Sequence, residues 1–166
     1  MIQRIQSIFL LLVAILMGIA LYFPISEVVD NDGISVMYHS YGLEIAGDKL
    51  PVWKDQVSSI TWGSLTFALL SIITPLVAIF LYKNRKRQAR ITLFNTLFIV
   101  LYYVAVVSYF CAFINKIDSE DANIHINLTP SSLIILLPLV ALIFNFLAYW
   151  RIRKDEKLVK SLDRIR

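Results

Sequence analysis

Few side chains in this sequence could do chemistry, and they lie far apart in the chain. His39 and His125 are its two histidines, and Cys111 is its one cysteine. A zinc site normally takes three or four ligands, so two separate histidines predict no metal site. The sequence also contains no recognisable Ser-His-Asp set, HExxH motif, phosphate loop or GxGxxG turn. We therefore expect a protein that is not an enzyme, with no catalytic residues and no cofactor, and the sequence identifies no small-molecule substrate.

Four long apolar segments must position whatever polar groups the chain does carry. The composition is 58% hydrophobic and only 17% charged, which is far from the balance of soluble proteins. Four segments contain no charged residue and have about the length that crosses a bilayer, namely 5–23, 61–82, 91–114 and 133–150. A soluble helix would carry polar residues along one face. We therefore predict an all-α membrane protein, a bundle of four transmembrane helices that forms a single domain over residues 1–166.

The first apolar segment could instead be a cleaved signal peptide. The sequence that follows its apolar run, "LYFPIS", is bulky and offers no small-residue cleavage site. This favours an uncleaved helix. Cys111 lies in the third segment, where a small apolar packing role is predicted.

The charged residues between the apolar segments are divided sharply by sign. Thirteen of the sixteen lysines and arginines lie at the N-terminus, in a predicted loop over residues 83–90 and in the tail 151–166. Nine of the twelve acidic residues lie in the other two connecting segments, 24–60 and 115–132. Lysine and arginine are retained on the cytoplasmic side of short loops. We therefore predict that both termini are cytoplasmic, and this topology explains the basic charge without a nucleic-acid partner.

Both outward segments carry strand patterns. Apolar residues alternate with polar ones in "ISVMY" and "NIHINL", and "DNDG" is a turn signal between "ISEVV" and "ISVMY". The patterns predict a small extracytoplasmic β-sheet cap on the bundle. Its predicted strands are 25–29, 34–38, 42–45 and 124–128. Pairing of these strands would allow His39 and His125 to approach each other.

The predicted layout is similar to that of claudins, which have four helices, a larger first outer segment with strands and a smaller second one. The tryptophan and paired cysteines that mark the first outer loop of claudins are missing, since the only cysteine lies in a helix. The likeness is therefore an analogy of architecture and implies no shared function.

None of the four apolar segments contains Asp, Glu, Lys, Arg or His. Transporters and proton channels usually place such residues within the bilayer. Asn95 and Asn145 both lie near the ends of their segments that adjoin basic residues, and we predict that they face each other as an interhelical polar contact. Pro75 and Pro138 are predicted to interrupt the second and fourth helices. Tyr102 lies near the middle of its segment, where a buried phenol needs a partner.

The tail 151–166 is predicted to be helical, because no proline or glycine follows Trp150. Leu158, Leu162 and Ile165 share one helical face, with basic residues around the other faces, and such helices lie on membranes or against partner helices. The alternative is a solvated extension that only sets orientation. The acids of the tail suit ion pairs with Arg4, with the segment 83–90 or with a partner protein. The candidate contacts for a partner or for lipid are Arg4, Arg85, Arg87, Asp155, Glu156, Leu158, Leu162, Asp163 and Ile165.

The two ends of the chain carry a resemblance to a known family. The chain begins "MIQRIQSIFLLLVAILMG" and ends "KDEKLVKSLDRIR". With four helices and this length, that pairing resembles a family of small integral membrane proteins from the Bacteroidota, known as domain of unknown function 4293. The resemblance covers essentially the whole chain. It implies a bacterial inner membrane and no known cofactor, and it carries over no catalytic residues.

Three classes of function stay open on the sequence. The favoured one is a non-enzymatic accessory or scaffold subunit of an inner-membrane assembly, whose partners are the lipid bilayer and other inner-membrane proteins. The second is a small transporter or channel component, which would need a polar path through the bundle. The third is a membrane enzyme that acts on lipid, for which Asp155 and Glu156 are the only adjacent acids on the inner side.

Overall fold

Long helices and short strands make up the described part of the chain. The computed structural model describes residues 3–29, 35–46, 62–82, 84–118, 125–127 and 134–163. The elements in chain order are α1 (Gln3–Tyr22), β1 (Ser26–Val29), β2 (Ser35–His39), β3 (Gly42–Ala46), α2 (Trp62–Phe80), α3 (Arg85–Asp118), β4 (His125–Asn127) and α4 (Leu137–Asp163).

Among the described residues, four helices are long and apolar enough to cross a membrane. Only 22% to 33% of the residues in these spans are buried inside the protein. The side chains that face outward are large and apolar, and Phe80, Ile143 and Phe146 are each more than 60% exposed. Exposed apolar surface on this scale requires lipid as the solvent. The helices are therefore those of a multi-pass membrane protein.

The four helices form an antiparallel bundle in which each helix packs against the next one in the chain, and α1 packs against α4. The start of α1, the turn between α2 and α3 and the end of α4 consequently lie together. We call this the basic end, and it comprises residues 3–10, 81–90 and 149–163. The opposite end, where α1 leads into β1, is the sheet end.

Along each helix, a line of buried residues recurs at alternating spacings of three and four residues. We call this line the seam of the helix. The seam residues are Gln6, Leu10, Val13, Met17 and Ala20 on α1; Ser64, Ala68, Ser71, Pro75 and Ala78 on α2; Gln88, Thr92, Asn95, Ile99, Tyr102 and Val106 on α3; and Pro138, Ala141, Asn145, Ala148, Ile152 and Asp155 on α4. A repeat of 3.5 residues is typical of helices that coil around one another and interlock their side chains. The seam of α4 continues past Trp150, so the first part of the tail belongs to the bundle.

Small residues form most of the buried face of α2. In a membrane, where lipid is as apolar as leucine, such residues stabilise a bundle because they let helices approach closely. The hydroxyl of Ser71 donates to the carbonyl of Ala68 at 2.7 Å, so it is satisfied within its own helix. The prediction that Pro75 interrupts the second helix was wrong, because α2 continues on both sides of it.

The strands form one antiparallel sheet in the order β3-β2-β1-β4. Each of the four predicted strands has a counterpart whose ends differ by at most one residue, while the predicted turn at "DNDG" lies outside the described residues. Val28 of β1 is opposite Val36 on one side and Ile126 on the other. The second connecting segment therefore adds its strand to the sheet of the first.

The sheet is anchored to the sheet end of the bundle by its inner side chains. Tyr38 is 1% exposed, and its ring lies 6.0 Å from that of Phe110 on α3. Ile25 is buried in the same cluster, and its amide donates to the carbonyl of Tyr38 at 2.7 Å. Tyr38, the last apolar position of "ISVMY", thus packs onto the helices together with Ile25.

The expectation that residues 83–90 form a loop was wrong for most of that segment. Helix α3 begins at Arg85, and the carbonyl of Asn84 accepts the amides of Arg87 at 2.9 Å and Gln88 at 3.0 Å. Asparagine is a favoured residue at the start of a helix. The buried side chain of Gln88 extends the seam of α3 beyond the apolar segment, and Ala89 beside it is also buried. The basic residues from Arg85 to Arg90 therefore lie on a helix, which fixes their positions around its axis.

The prediction that Pro138 interrupts the fourth helix was also wrong. Helix α4 starts at Leu137, after a single turn of 3-10 helix over residues 134–136. Pro138 is therefore the second residue of the helix, where its missing N–H removes no helical hydrogen bond. The helix then continues without a break to Asp163, as the absence of proline and glycine after Trp150 predicted.

Candidate functional site at the basic end of the bundle

A layer of buried polar side chains closes the bundle at its basic end. Gln6 of α1, Gln88 of α3, and Asp155 and Glu156 of α4 are each between 2% and 8% exposed. The Nε2 of Gln6 donates a hydrogen bond to Oδ2 of Asp155. A buried carboxylate needs such a donor, because burial without one is costly. The bond joins the first and last helices of the chain at the point where the tail leaves the apolar segment.

Arg85 ties the start of α3 to the same turn of α4. Its Nη1 donates to the main-chain carbonyl of Asp155 at 3.0 Å. The sequence predicted ion pairs between the tail acids and the segment 83–90, but this contact is to a carbonyl, while the Asp155 carboxylate binds a neutral amide. Asp155 lies at a seam position of α4, where its side chain points toward α1 and its main-chain carbonyl lies on the side of α3. Arg85 therefore reaches the carbonyl and not the carboxylate.

Glu156 takes part in a network on the surface of α4. Its Oε2 lies 3.4 Å from Nη1 of Arg153, one turn earlier in the helix. The Nε of Arg153 donates to the hydroxyl of Tyr149 at 3.0 Å, and its guanidinium lies 5.6 Å from the centre of that ring. The three side chains hold one another in place at the membrane boundary.

The other predicted contact residues differ in what the structure describes of them. Arg87 is exposed, and Leu158 and Val159 on α4 are 49% and 39% exposed. These two apolar side chains face away from the bundle. The remaining candidates, whose side chains lie outside the described residues, are Arg4, Leu162, Asp163 and Ile165. Docking through those four residues stays a prediction.

A second polar cluster lies deeper in the bundle, between α2, α3 and α4. Asn95 and Asn145 are fully buried, and Nδ2 of Asn95 donates to Oδ1 of Asn145 at 3.0 Å. Asn145 donates in turn to the carbonyl of Thr92 at 3.0 Å and to Oγ1 of Thr96 at 2.8 Å. The hydroxyl of Thr74 on α2 lies within hydrogen-bonding distance of Oδ1 of Asn95. The polar groups thus bind one another across three helices.

At the sheet end, the turn between β2 and β3 is held by hydrogen bonds to three helices. The hydroxyl of Tyr102 lies 2.7 Å from Oγ of Ser40, which donates to the carbonyl of Ala20 at the end of α1. Oγ of Ser64 on α2 donates to the carbonyl of Ser40 at 2.6 Å. The sequence predicted that the Tyr102 hydroxyl needs a partner but gave no reason to choose Ser40. Only the pairing of β2 with β3 brings the turn that contains Ser40 into the bundle.

The two histidines lie in different places. Tyr38 pairs with Ser26 at the start of β1, and His39 lies one residue beyond that pair. His125 pairs with Val29, at the other end of β1. At ~3.3 Å per residue, this separates them by roughly 13 Å along the sheet. His39 is instead buried, with Nε2 3.2 Å from a carboxylate oxygen of Glu44. Among the described residues, no group of three or more His, Cys, Asp or Glu side chains could hold a metal ion.

Two tyrosines at the sheet end, Tyr38 on β2 and Tyr41 in the turn that follows it, have raised pKa values. Burial raises the pKa of Tyr38, and the nearby phenols of Tyr102 and Tyr109 raise it further. Partial desolvation raises the pKa of Tyr41, and its electrostatic interactions with Glu44 and with the Tyr22 phenol raise it further. Both phenols therefore stay neutral at physiological pH, which suits packing and hydrogen bonding.

Comparison with known proteins places the whole chain in one family. No match is found among curated proteins. Residues 2–165 match the family described as Domain of unknown function (DUF4293). That range contains all four membrane helices, the sheet and both polar clusters. The chain belongs to the DUF4293 family.

Proposed function

We propose that the protein is a non-enzymatic accessory or scaffold subunit of an assembly in a bacterial inner membrane, with its basic end in the cytoplasm. The orientation is supported by the eleven lysines and arginines within the basic end, since lysine and arginine are retained inside. The sheet would then face outward, in a layout like that of claudins.

The observation that carries this proposal is the helical tail of α4 with its exposed apolar side chains. Leu158 lies eight residues beyond Trp150, which places it about 12 Å past the aromatic residues that mark the membrane boundary. It is 49% exposed and Val159 is 39% exposed. Asp155 fixes this turn against α1 and α3. An ordered helix that presents apolar side chains outside the hydrocarbon layer is suited to bind a partner helix.

A transporter or channel role is the alternative from a different class, and the polar cluster around Asn145 is its strongest basis. Such a role needs polar groups that are available to a passing solute. The amide of Asn145 is engaged by Asn95, Thr92 and Thr96. Because these polar groups form hydrogen bonds with one another, the cluster is better suited to hold the helices together than to line a path for a solute.

The experiment is purification from the native membrane in mild detergent, with companions quantified by mass spectrometry. The test variant carries Leu158→Ser and Val159→Ser, and the matched control carries Lys154→Ser and Lys157→Ser at exposed positions of the same helix. We expect a stoichiometric companion that the test variant loses at least tenfold and the control retains.

Two results would contradict the proposal. One is a wild-type protein that purifies as a monodisperse monomer with no reproducible companion. The other is a companion that binds the test variant as well as it binds the wild type, because the tail would then not be the docking element.

A further inference from the structure

A groove runs along the outer surface of the bundle between α3 and α4. Its part at the basic end is a cleft of about 430 Å³ whose lining includes Lys86, Arg90 and Arg153. Its deeper part is a cleft of about 380 Å³ whose lining includes Leu97, Val100 and Phe146. Leu93 and Tyr149 line both parts. The two clefts are therefore one continuous groove that is basic at one end and apolar at the other.

The length of the groove matches one leaflet of a bilayer. Lys86 and Val100 are fourteen residues apart on α3, which corresponds to about 21 Å along the helix axis. Half of the hydrocarbon core is roughly 15 Å thick, and the headgroup layer lies beyond it. Tyr149 lies where the two parts meet, and tyrosine is typical of that boundary. The basic part is thus at headgroup depth and the apolar part at acyl-chain depth.

The charge of the basic part is positive. Lys86 and Arg90 are exposed, and the side chain of Arg153 is 54% exposed. One carboxylate, that of Glu156, also lines the cleft, and Arg153 lies 3.4 Å from it. The contacts of Arg153 with Tyr149 and Glu156 use two of its five N–H donors. Two cations and the remaining guanidinium donors therefore face the headgroup layer, which suits a phosphate.

We propose that this groove binds one anionic phospholipid, with its phosphate among Lys86, Arg90 and Arg153 and an acyl chain along Leu97, Val100 and Phe146. Basic pockets between transmembrane helices are a known means of holding anionic headgroups. The occupant is a phospholipid because a free phosphate would make no use of the apolar part. The groove shares Arg153 and Glu156 with the tail, but its lining does not include Leu158 or Val159, so either proposal can fail alone.

The test is a titration of the purified full-length protein in detergent, with bound lipid counted by native mass spectrometry. The probes are phosphatidylglycerol, phosphatidylethanolamine and inorganic phosphate. Lys86→Gln with Arg90→Gln removes two groove cations, and Arg87→Gln with Lys154→Gln removes two exposed cations outside the groove, so both variants have the same net charge. Leu97→Trp fills the apolar part without changing charge.

We expect one phosphatidylglycerol to bind the wild type more tightly than phosphatidylethanolamine. At about fivefold per cation, the groove variant should bind it about 25-fold more weakly, and the control less than twofold more weakly. Leu97→Trp should also weaken binding. The proposal is overturned if the two charge variants lose affinity equally, if phosphatidylethanolamine binds as tightly, or if inorganic phosphate binds and Leu97→Trp has no effect.

Discussion

Replacing Asn145 by leucine should destabilise the bundle by about 2 kcal/mol. The Asn145 amide is fully buried and takes part in three hydrogen bonds, with Asn95, Thr92 and Thr96. A hydrogen bond between membrane helices contributes ~0.6 kcal/mol on average. Leucine has a similar volume, so the cost of a cavity or of overpacking is small. The expected loss therefore comes from the three bonds.

The assay is the free energy of unfolding in lipid-detergent mixtures, measured by titration with a denaturing detergent. Phe146→Leu is the matched control, because Phe146 is the next residue on the helix and is 64% exposed to lipid. It should change stability by less than about 0.5 kcal/mol. Thr96→Val alone should cost ~0.6 kcal/mol, and it should cost almost nothing when added to Asn145→Leu, because the shared bond is already lost. A loss in Asn145→Leu no larger than that in Phe146→Leu, or strict additivity with Thr96→Val, would refute the reasoning.

Three further predictions concern α4. Asp155→Ala should cost ~1–3 kcal/mol in the same unfolding assay because it leaves the buried amide of Gln6 without its acceptor; replacing Gln6 and Asp155 together by leucine should recover most of that loss, and no recovery would argue against the pairing. Truncation after Arg153 should leave membrane insertion intact, as measured by fractionation, because the basic residues that set topology remain, but it should abolish partner association; retained companions would contradict it. Pro138→Ala should change the unfolding free energy by less than about 0.5 kcal/mol, since the proline lies in the first turn of α4, whereas a large change would indicate a kink.

The helices and strands follow from local sequence patterns, which explains why they were predictable. Uncharged apolar runs of bilayer length define the helices, and period-two alternation defines the strands. The start of α3 was missed because the charges of residues 85–90 were taken to mark a loop. The signal that the helix extends over these residues is Asn84 as a starting residue, followed by Gln88 at a seam position.

The contacts of the site were less predictable, because they depend on which helix faces which. Asn95 and Asn145 could be paired in advance, since both lie at the same depth and few polar groups surround them. The partner of Asp155 could not, because an abundance of nearby cations suggested an ion pair, whereas the seam directs its carboxylate to Gln6. On α2, small residues recur at alternating spacings of three and four residues. This spacing marks the buried face of the helix, which the overall composition does not reveal.

The orientation of the bundle is the claim on which the proposed roles of its two ends depend. It is tested most directly by cysteine accessibility in intact cells, in a Cys111→Ala background that removes the exposed native thiol. A membrane-impermeant maleimide should label Glu120→Cys from outside and should label Lys86→Cys only after the cells are lysed. Labelling of Lys86→Cys in intact cells, with protection of Glu120→Cys, would place the basic end outside and contradict the account.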